Sequence, residues 1–265
     1  KMRPGHADYA GHVRYQGFND YRGGGHFSGR LTAPLVFAGA VAKQALAQHG
    51  IVVGSHILQI HDIQEERFNP MGVSDAELAE LHAKKFAVMD DAVGEKMQER
   101  ILQAKSELNS VGGVIEAIAL HLPAGIGAPY FDSVESMLSH ALFSVPAVKG
   151  VEFGDGFGFA GLTGAEANDA LHYVDGKVQA LTNHNGGVTG GITNGMPLVV
   201  RVAIKPTPSI AREQQTVSLK QQADTTLAIV GRHDPCIVQR AVPVIEAVVA
   251  WTLWDLLLEA KKWEK

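Results

Sequence analysis

Blocks of apolar residues separated by polar, glycine-rich segments organise the chain. The stretch 31–48, LTAPLVFAGAVAKQALAQ, is Ala-rich and predicts a buried helix, with Thr32 as a cap and Pro34 in its first turn. IVVGSHILQIHDIQ at 51–64 is short, branched and bounded by glycine and charge, which predicts one or two strands. Residues 74–108 predict helix, opened by a Ser74–Glu77 capping box and broken or turned at Gly94. A strand is expected over 110–122, and an amphipathic helix capped by Asp132 over 131–146. MPLVVRVAIKP at 196–206 predicts a strand that Pro206 ends, and TTLAIV a short strand before a polar turn. The last element, from about 240 to 262, is a long apolar helix carrying Trp251 and Trp254 at packing distance. Residues 3–30 lack aliphatic periodicity and predict loop.

Strands and helices do not alternate as regular βαβ units, and neither an internal repeat nor a linker is visible. The expectation is one α+β domain over 1–265. At 46% hydrophobic content the chain can fill a sizeable core. A formal net charge of −5 with 19% charged residues argues against a general nucleic-acid binder, which needs many phosphate-neutralising cations. It leaves room for an anionic small molecule held by a local arginine cluster. The single cysteine, Cys236, excludes a disulfide framework and a cysteine-rich zinc site; it reads as a buried structural thiol. No membrane span and no secretory leader are read, and Lys1–Met2 does not read as a natural start.

Three polar loops carry candidate chemistry. The first holds Arg3, His6 and Asp8, then Arg22, His26, Ser28 and Arg30, with glycines at 23–25. Guanidinium forks suit carboxylate and phosphate oxygens, and histidine titrates near neutrality. The competing reading is a basic surface loop with structural histidines. The second is a double-glycine loop, Gly186, Gly187, Gly190 and Gly191, which either presents backbone N–H groups to an anion or only builds tight turns. The third joins KPTPS at 205–209 with GRHDPC at 231–236, where Arg232, His233 and Asp234 are consecutive. A cap with a surface ion pair would also explain that turn. No paired histidine spacing supports a metal.

Taken in order, RPGHAD at 3–8, RGGGHFSGR at 22–30, PAVKGVEFGDGF at 146–157, NGGVTGGITNG at 185–195, KPTPSI at 205–210 and GRHDPC at 231–236 resemble the motifs of the chorismate synthase family. The resemblance runs over essentially the whole chain. It implies a β-α-β sandwich with antiparallel sheets and flanking helices, and a cytoplasmic homotetramer. It also implies a lyase that converts 5-enolpyruvylshikimate-3-phosphate to chorismate and phosphate with reduced FMN. A non-catalytic flavin-binding protein on the same scaffold is the alternative. Flavin reduction would come from NADPH on the enzyme itself or from a separate flavin reductase. No nucleic acid, membrane or metal is implied.

The resemblance also implies roles for residues. His6 would be the histidine beside the flavin ring, and Asp234 would lie in the motif that removes the C6 proton. Arg3, Arg30 and Arg232 would bind the anionic substrate. His26, Phe27, Ser28, Pro146, Ala147, Gly190, Lys205, Pro206, Thr207, Pro208, Ser209 and Arg232 would hold FMN. The chain departs from the family pattern at HFSGR, where RSSAR is common: His26 stands for an arginine and Gly29 for an alanine. Gln239 stands where a proline is frequent. The larger expected departure is length, namely a family member without its amino-terminal third and the GESHG motif that third carries.

Overall fold

A computed structural model describes residues 1–22, 24–231 and 233–261. Its helices are α1 Asp8–Arg14, α2 Ala33–Ala47, α3 Asp75–Ala83, α4 Asp91–Ser106, α5 Val134–Phe143, α6 Gly164–Ala167 and α7 Val238–Lys261. Its strands are β1 Val52–Ile60, β2 Ile63–Gln64, β3 Gly113–Leu120, β4 Val148–Phe153, β5 Leu171–Val174 and β6 Lys177–Ala180. These are followed by β7 Val188–Thr189, β8 Ile192–Thr193, β9 Leu198–Ile204, β10 Gln214–Ser218 and β11 Ala223–Leu227. This is the mixed helix-and-antiparallel-sheet class that the sequence predicts.

One antiparallel sheet, in the order β2-β1-β3-β9-β4, is the frame. Side chains alternate across it. Ile57, Ile115, Ala117, Val200 and Val202 face one side, where α7 supplies Ile245, Val248, Val249 and Leu253. α2 lies across α7 at backbone contact distance. A methyl group added at Gly39 would fall 2.2 Å from Ala247 Cβ, so only glycine permits that crossing. The opposite face is smaller, with Leu78 and Leu81 of α3 packing against Ile118, Leu120 and Val199.

That second face also carries a row of charge. His56, Glu116, Arg201 and Glu152 are cross-strand partners on β1, β3, β9 and β4. His56 Nε2 lies 3.1 Å from Glu116 Oε2, and His56 Nδ1 pairs with Glu65. Arg201 donates from Nη1 to Glu116 Oε1 at 3.0 Å and from Nε to Glu152 Oε1 at 2.6 Å. Glu116 also accepts from the Phe68 amide at 2.6 Å, and Glu65 from the Met89 amide. Alternating signs and filled lone pairs make this burial tolerable.

Several local expectations are corrected. Residues 3–30 are not all loop: α1 forms within them, with Asp8 in its first turn and His12 and Arg14 in its last, an arrangement that suits the helix dipole. The 74–108 helix breaks over 84–90 rather than at Gly94, because Asp90 caps a fresh helix through the Ala92 and Val93 amides. Gly94 lies buried inside α4. Ser133, not Asp132, caps α5 by accepting from the Ser136 amide. Thr32 makes no side-chain cap; its hydroxyl donates to the Gly29 carbonyl at 2.6 Å. The expected Ser74–Glu77 capping box is present. By length and composition α7 could cross a membrane, but 67% of its apolar window is buried inside the protein, as in a core helix. Cys236 is buried, which pushes its thiol up to about 11.

The charge row carries a pH signature. Burial opposes the His56 imidazolium, but its hydrogen bonds to Glu116 and Glu65 outweigh this and raise its pKa. The stabilisation is therefore complete below about pH 6.5, the ordinary histidine value, and is lost as pH rises through the raised folded value. Urea unfolding of the wild type should show stability falling over that alkaline window. His56→Ala should flatten the trend and cost about 3–5 kcal/mol, because two buried carboxylates lose their cation.

Candidate functional site

The site is assembled where the start of the chain meets the exit of β9. The Met2 amide donates to the Val217 carbonyl at 3.2 Å, and Thr216 Oγ1 donates to the Met2 carbonyl, which lays the first residues along β10. Lys205, one residue past β9, donates from Nζ to the Gly5 carbonyl at 2.6 Å. Gly5 has φ +66°, and a methyl group there would approach Pro208 Cβ to 3.1 Å. The turn at 3–8 and the run at 205–209 are therefore in direct contact, although about 200 residues separate them. Pro146 and Ala147 join them, since the Lys205 amide donates to the Ala147 carbonyl at 2.9 Å.

Within the turn, Asp8 holds Arg3 by a two-pronged grip. Arg3 donates from Nε to Oδ2 at 2.7 Å and from Nη2 to Oδ1 at 2.6 Å, and its backbone amide donates to Oδ2 at 3.0 Å. His6 Nδ1 lies 2.8 Å from Asp8 Oδ1, at ion-pair distance. It sits off the line a hydrogen bond needs, so this buried nitrogen has no aligned partner among the described residues. Burial would raise the Asp8 carboxyl, but the Arg3 hydrogen bonds outweigh it and keep the group ionised below the usual range. His6 is held below its ordinary value, first by burial and then by the positive charge of Arg3, against the opposing pull of Asp8. Lys205 adds to the lowering.

A cleft of about 530 Å³ opens beside this cluster, walled by Arg3, Asp8 and His12 on one side and by Leu227, Ile229 and Val230 on the other. The Ile229 amide donates to the Ile210 carbonyl, and the Val111 amide to the Pro235 carbonyl. Ser110 Oγ donates to the Thr207 carbonyl at 2.6 Å. These bonds bring the 229–236 segment beside the 205–210 run. Asp234 is half-exposed and pairs with Arg240 at 3.0 Å. Arg232 lies outside the described residues, as does Gly23.

The remaining predicted residues are placed as follows. Phe27 packs its ring against Gly11 of α1, and His26 beside it in sequence is exposed. Ser28 Oγ accepts from the Arg30 amide at 3.2 Å, and Arg30 is exposed. Ser209 is buried, and Thr207 Oγ1 is buried without a hydrogen-bond partner among the described residues. Gly190 stands apart, at the tip of the β7–β8 hairpin. That hairpin precedes the other end of β9, and its Gly191 carbonyl accepts from the Val134 amide. The rest of the double-glycine loop is tied by Asn183, whose side chain accepts from the Gly187 amide at 2.7 Å and donates to the Pro70 and Pro197 carbonyls. The cleft walls at 227–230 were not legible as site residues, since plain aliphatic side chains carry no chemical signal.

Comparison with known proteins decides the family. The chorismate synthase family model matches residues 1–258. This chain belongs to the chorismate synthase family. It is 49% identical to the chorismate synthase of Thermococcus gammatolerans over 263 residues, covering 99% of this chain and 72% of that protein. It is 46% identical to the chorismate synthase of Pyrococcus abyssi over 264 residues, covering 100% of this chain and 72% of that protein. A crystal structure of chorismate synthase superposes with a TM-score of 0.77 at 30% identity, over 96% of this chain and 70% of that one. The β-α-β sandwich class follows from that superposition. The expectation of a chorismate synthase without its amino-terminal third is corrected, because the family model is matched from residue 1 through 258.

The contact between the two loops can be tested by crowding it. Gly5→Ala should lower stability by about 1–2 kcal/mol, from strain at positive φ plus the clash with Pro208. Denaturant midpoints of the variant and the wild type measure this; an unchanged midpoint would show that the loops are not in contact.

Proposed function

We propose that Arg3, His6, Lys205 and the 205–209 run form the active site in which this chain removes phosphate from 5-enolpyruvylshikimate-3-phosphate to give chorismate. The observation that carries the assignment is the contact of the 3–8 turn with the 205–209 run beside an open cleft. The cofactor that family membership implies is FMN, and the residues fit such a group. Thr207 offers a buried hydroxyl with no partner among the described residues, and Lys205 offers an ammonium two residues before it in sequence. Lys205, Thr207 and Ser209 would hold the cofactor's polar groups, with Ala147 beside them. When bound, reduced FMN would supply an electron source for loss of the allylic phosphate, with no net redox change.

The chain's own residues supply orientation, field and a proton. Arg3 spends Nε and Nη2 on Asp8, which fixes its guanidinium plane and leaves Nη1 for a substrate oxyanion. A cation held in place before the reaction stabilises charge that builds on the departing phosphate without reorganising. His6 is kept largely neutral by burial and by the positive charge around it. An anion that engages Arg3 and Lys205 cancels that field and favours the imidazolium. Ligand binding thus loads His6 with a proton when the site is filled. Asp234 is the proposed group for removal of the C6 proton, and Arg232, two residues before it in sequence, is proposed to bind substrate and FMN. A homotetramer in the cytoplasm, and reduction of FMN by NADPH or by a separate reductase, complete the reading.

Anaerobic incubation with dithionite-reduced FMN and 5-enolpyruvylshikimate-3-phosphate should release equal amounts of chorismate and phosphate. His6→Ala should lower kcat by about 10²-fold or more while FMN affinity changes by less than about threefold. Equal losses in both would assign His6 to binding rather than to proton handling. FMN binding without any turnover by the wild type would leave a flavin-binding protein on the same scaffold.

A further inference from the structure

Asp8 has no role in the assignments above beyond holding Arg3, yet its geometry reaches further. One carboxylate oxygen, Oδ1, serves two groups: Arg3 Nη2 at 2.6 Å and His6 Nδ1 at 2.8 Å. The other oxygen is taken by Arg3 Nε and the Arg3 backbone amide. An ionised carboxylate only accepts hydrogen bonds, so the imidazole nitrogen that faces it is the one that carries hydrogen. The groups facing His6 are Arg3 and Asp8 from its own segment and Lys205 from the far side. Among these Asp8 is the sole anion.

Resting on the reading of His6 as the proton-handling residue, we propose that Asp8 is a positioning residue that acts through His6. It fixes hydrogen on Nδ1, leaves Nε2 as the nitrogen that takes up and gives the working proton, and couples that proton to occupancy of Arg3. The coupling follows from the shared oxygen. A substrate anion on Arg3 Nη1 offsets the guanidinium's charge while Arg3 stays on Asp8, which leaves Oδ1 to favour positive charge on His6 Nδ1, 2.8 Å away. The imidazolium is then stabilised at the moment the substrate arrives. Without Asp8, the proton would distribute between both nitrogens, and the remaining field on His6 would be wholly positive.

The test is Asp8→Asn, an isostere that keeps one acceptor and loses the charge. Its kcat should fall about 10- to 100-fold, and the alkaline limb of the kcat–pH profile should move to lower pH, because the one group favouring imidazolium is gone. Asp8→Glu should recover part of the rate and the position of the limb. In a His6→Ala background, Asp8→Asn should cost less in kcat than it does in the wild type and should move no limb of the pH profile, the remaining loss coming from the released Arg3. A rise in KM alone, with the limb unmoved, would mean that Asp8 serves only Arg3 and would overturn the proposal.

A second readout needs no turnover. Nitrogen-15 NMR of the wild-type histidines at alkaline pH should show His6 with hydrogen on Nδ1. Hydrogen on Nε2 would overturn the proposal, even if Asp8→Asn fails to fold. A wild type that forms no chorismate yet shows hydrogen on Nδ1 would sink the catalytic reading while keeping the Asp8–His6 pairing.

Discussion

Arg201 sits in the middle of β9 with a carboxylate on either side, Glu116 of β3 and Glu152 of β4. A shift of β9 by one residue would turn this guanidinium into the apolar layer under α7 and bring Val200 or Val202 to the polar face. The register of the central strand is therefore fixed by charge as well as by burial. This matters for function because β9 ends one residue before Lys205. A strand that cannot slip delivers Lys205 and the 205–209 run to one place, where the first turn of the chain is waiting. The catalytic reading depends on that delivery.

Much of the fold was visible in the chain itself. The charged or titratable residues inside otherwise apolar strands, His56 in VVGSHILQI, Glu116 in GVIEAIAL and Arg201 in LVVRVAI, were not read as a buried polar row, because their pairing across strands cannot be read from spacing. The strands, the long carboxy-terminal helix and the Ser74–Glu77 box follow from period and capping chemistry. The family motifs located the 3–8 and 205–209 loops. Their contact was hidden, because it depends on a fold that brings residues about 200 positions apart into hydrogen-bond range.

The misplaced boundaries share one cause. Ser, Thr, Asp and Asn near a helix start compete for the same cap, and the winner is set by where the preceding chain enters. Thus Ser133 displaced Asp132, and Asp90 opened a helix that the pattern had merged with its neighbour. α1 escaped notice because it buries almost nothing, so no apolar stripe marks it. Its first residue is nevertheless Asp8, which is how the helix start and the Arg3–His6 pair come to share one carboxylate.

The central claim is that the amino-terminal turn and the β9 exit build one FMN site. Amide hydrogen exchange with and without bound FMN measures it most directly. The account predicts slowed exchange together at residues 5–8, at 147 and in the 205–209 run, with the β7–β8 hairpin less affected. Protection confined to the hairpin, with residues 5–8 and 205–209 unchanged, would contradict it.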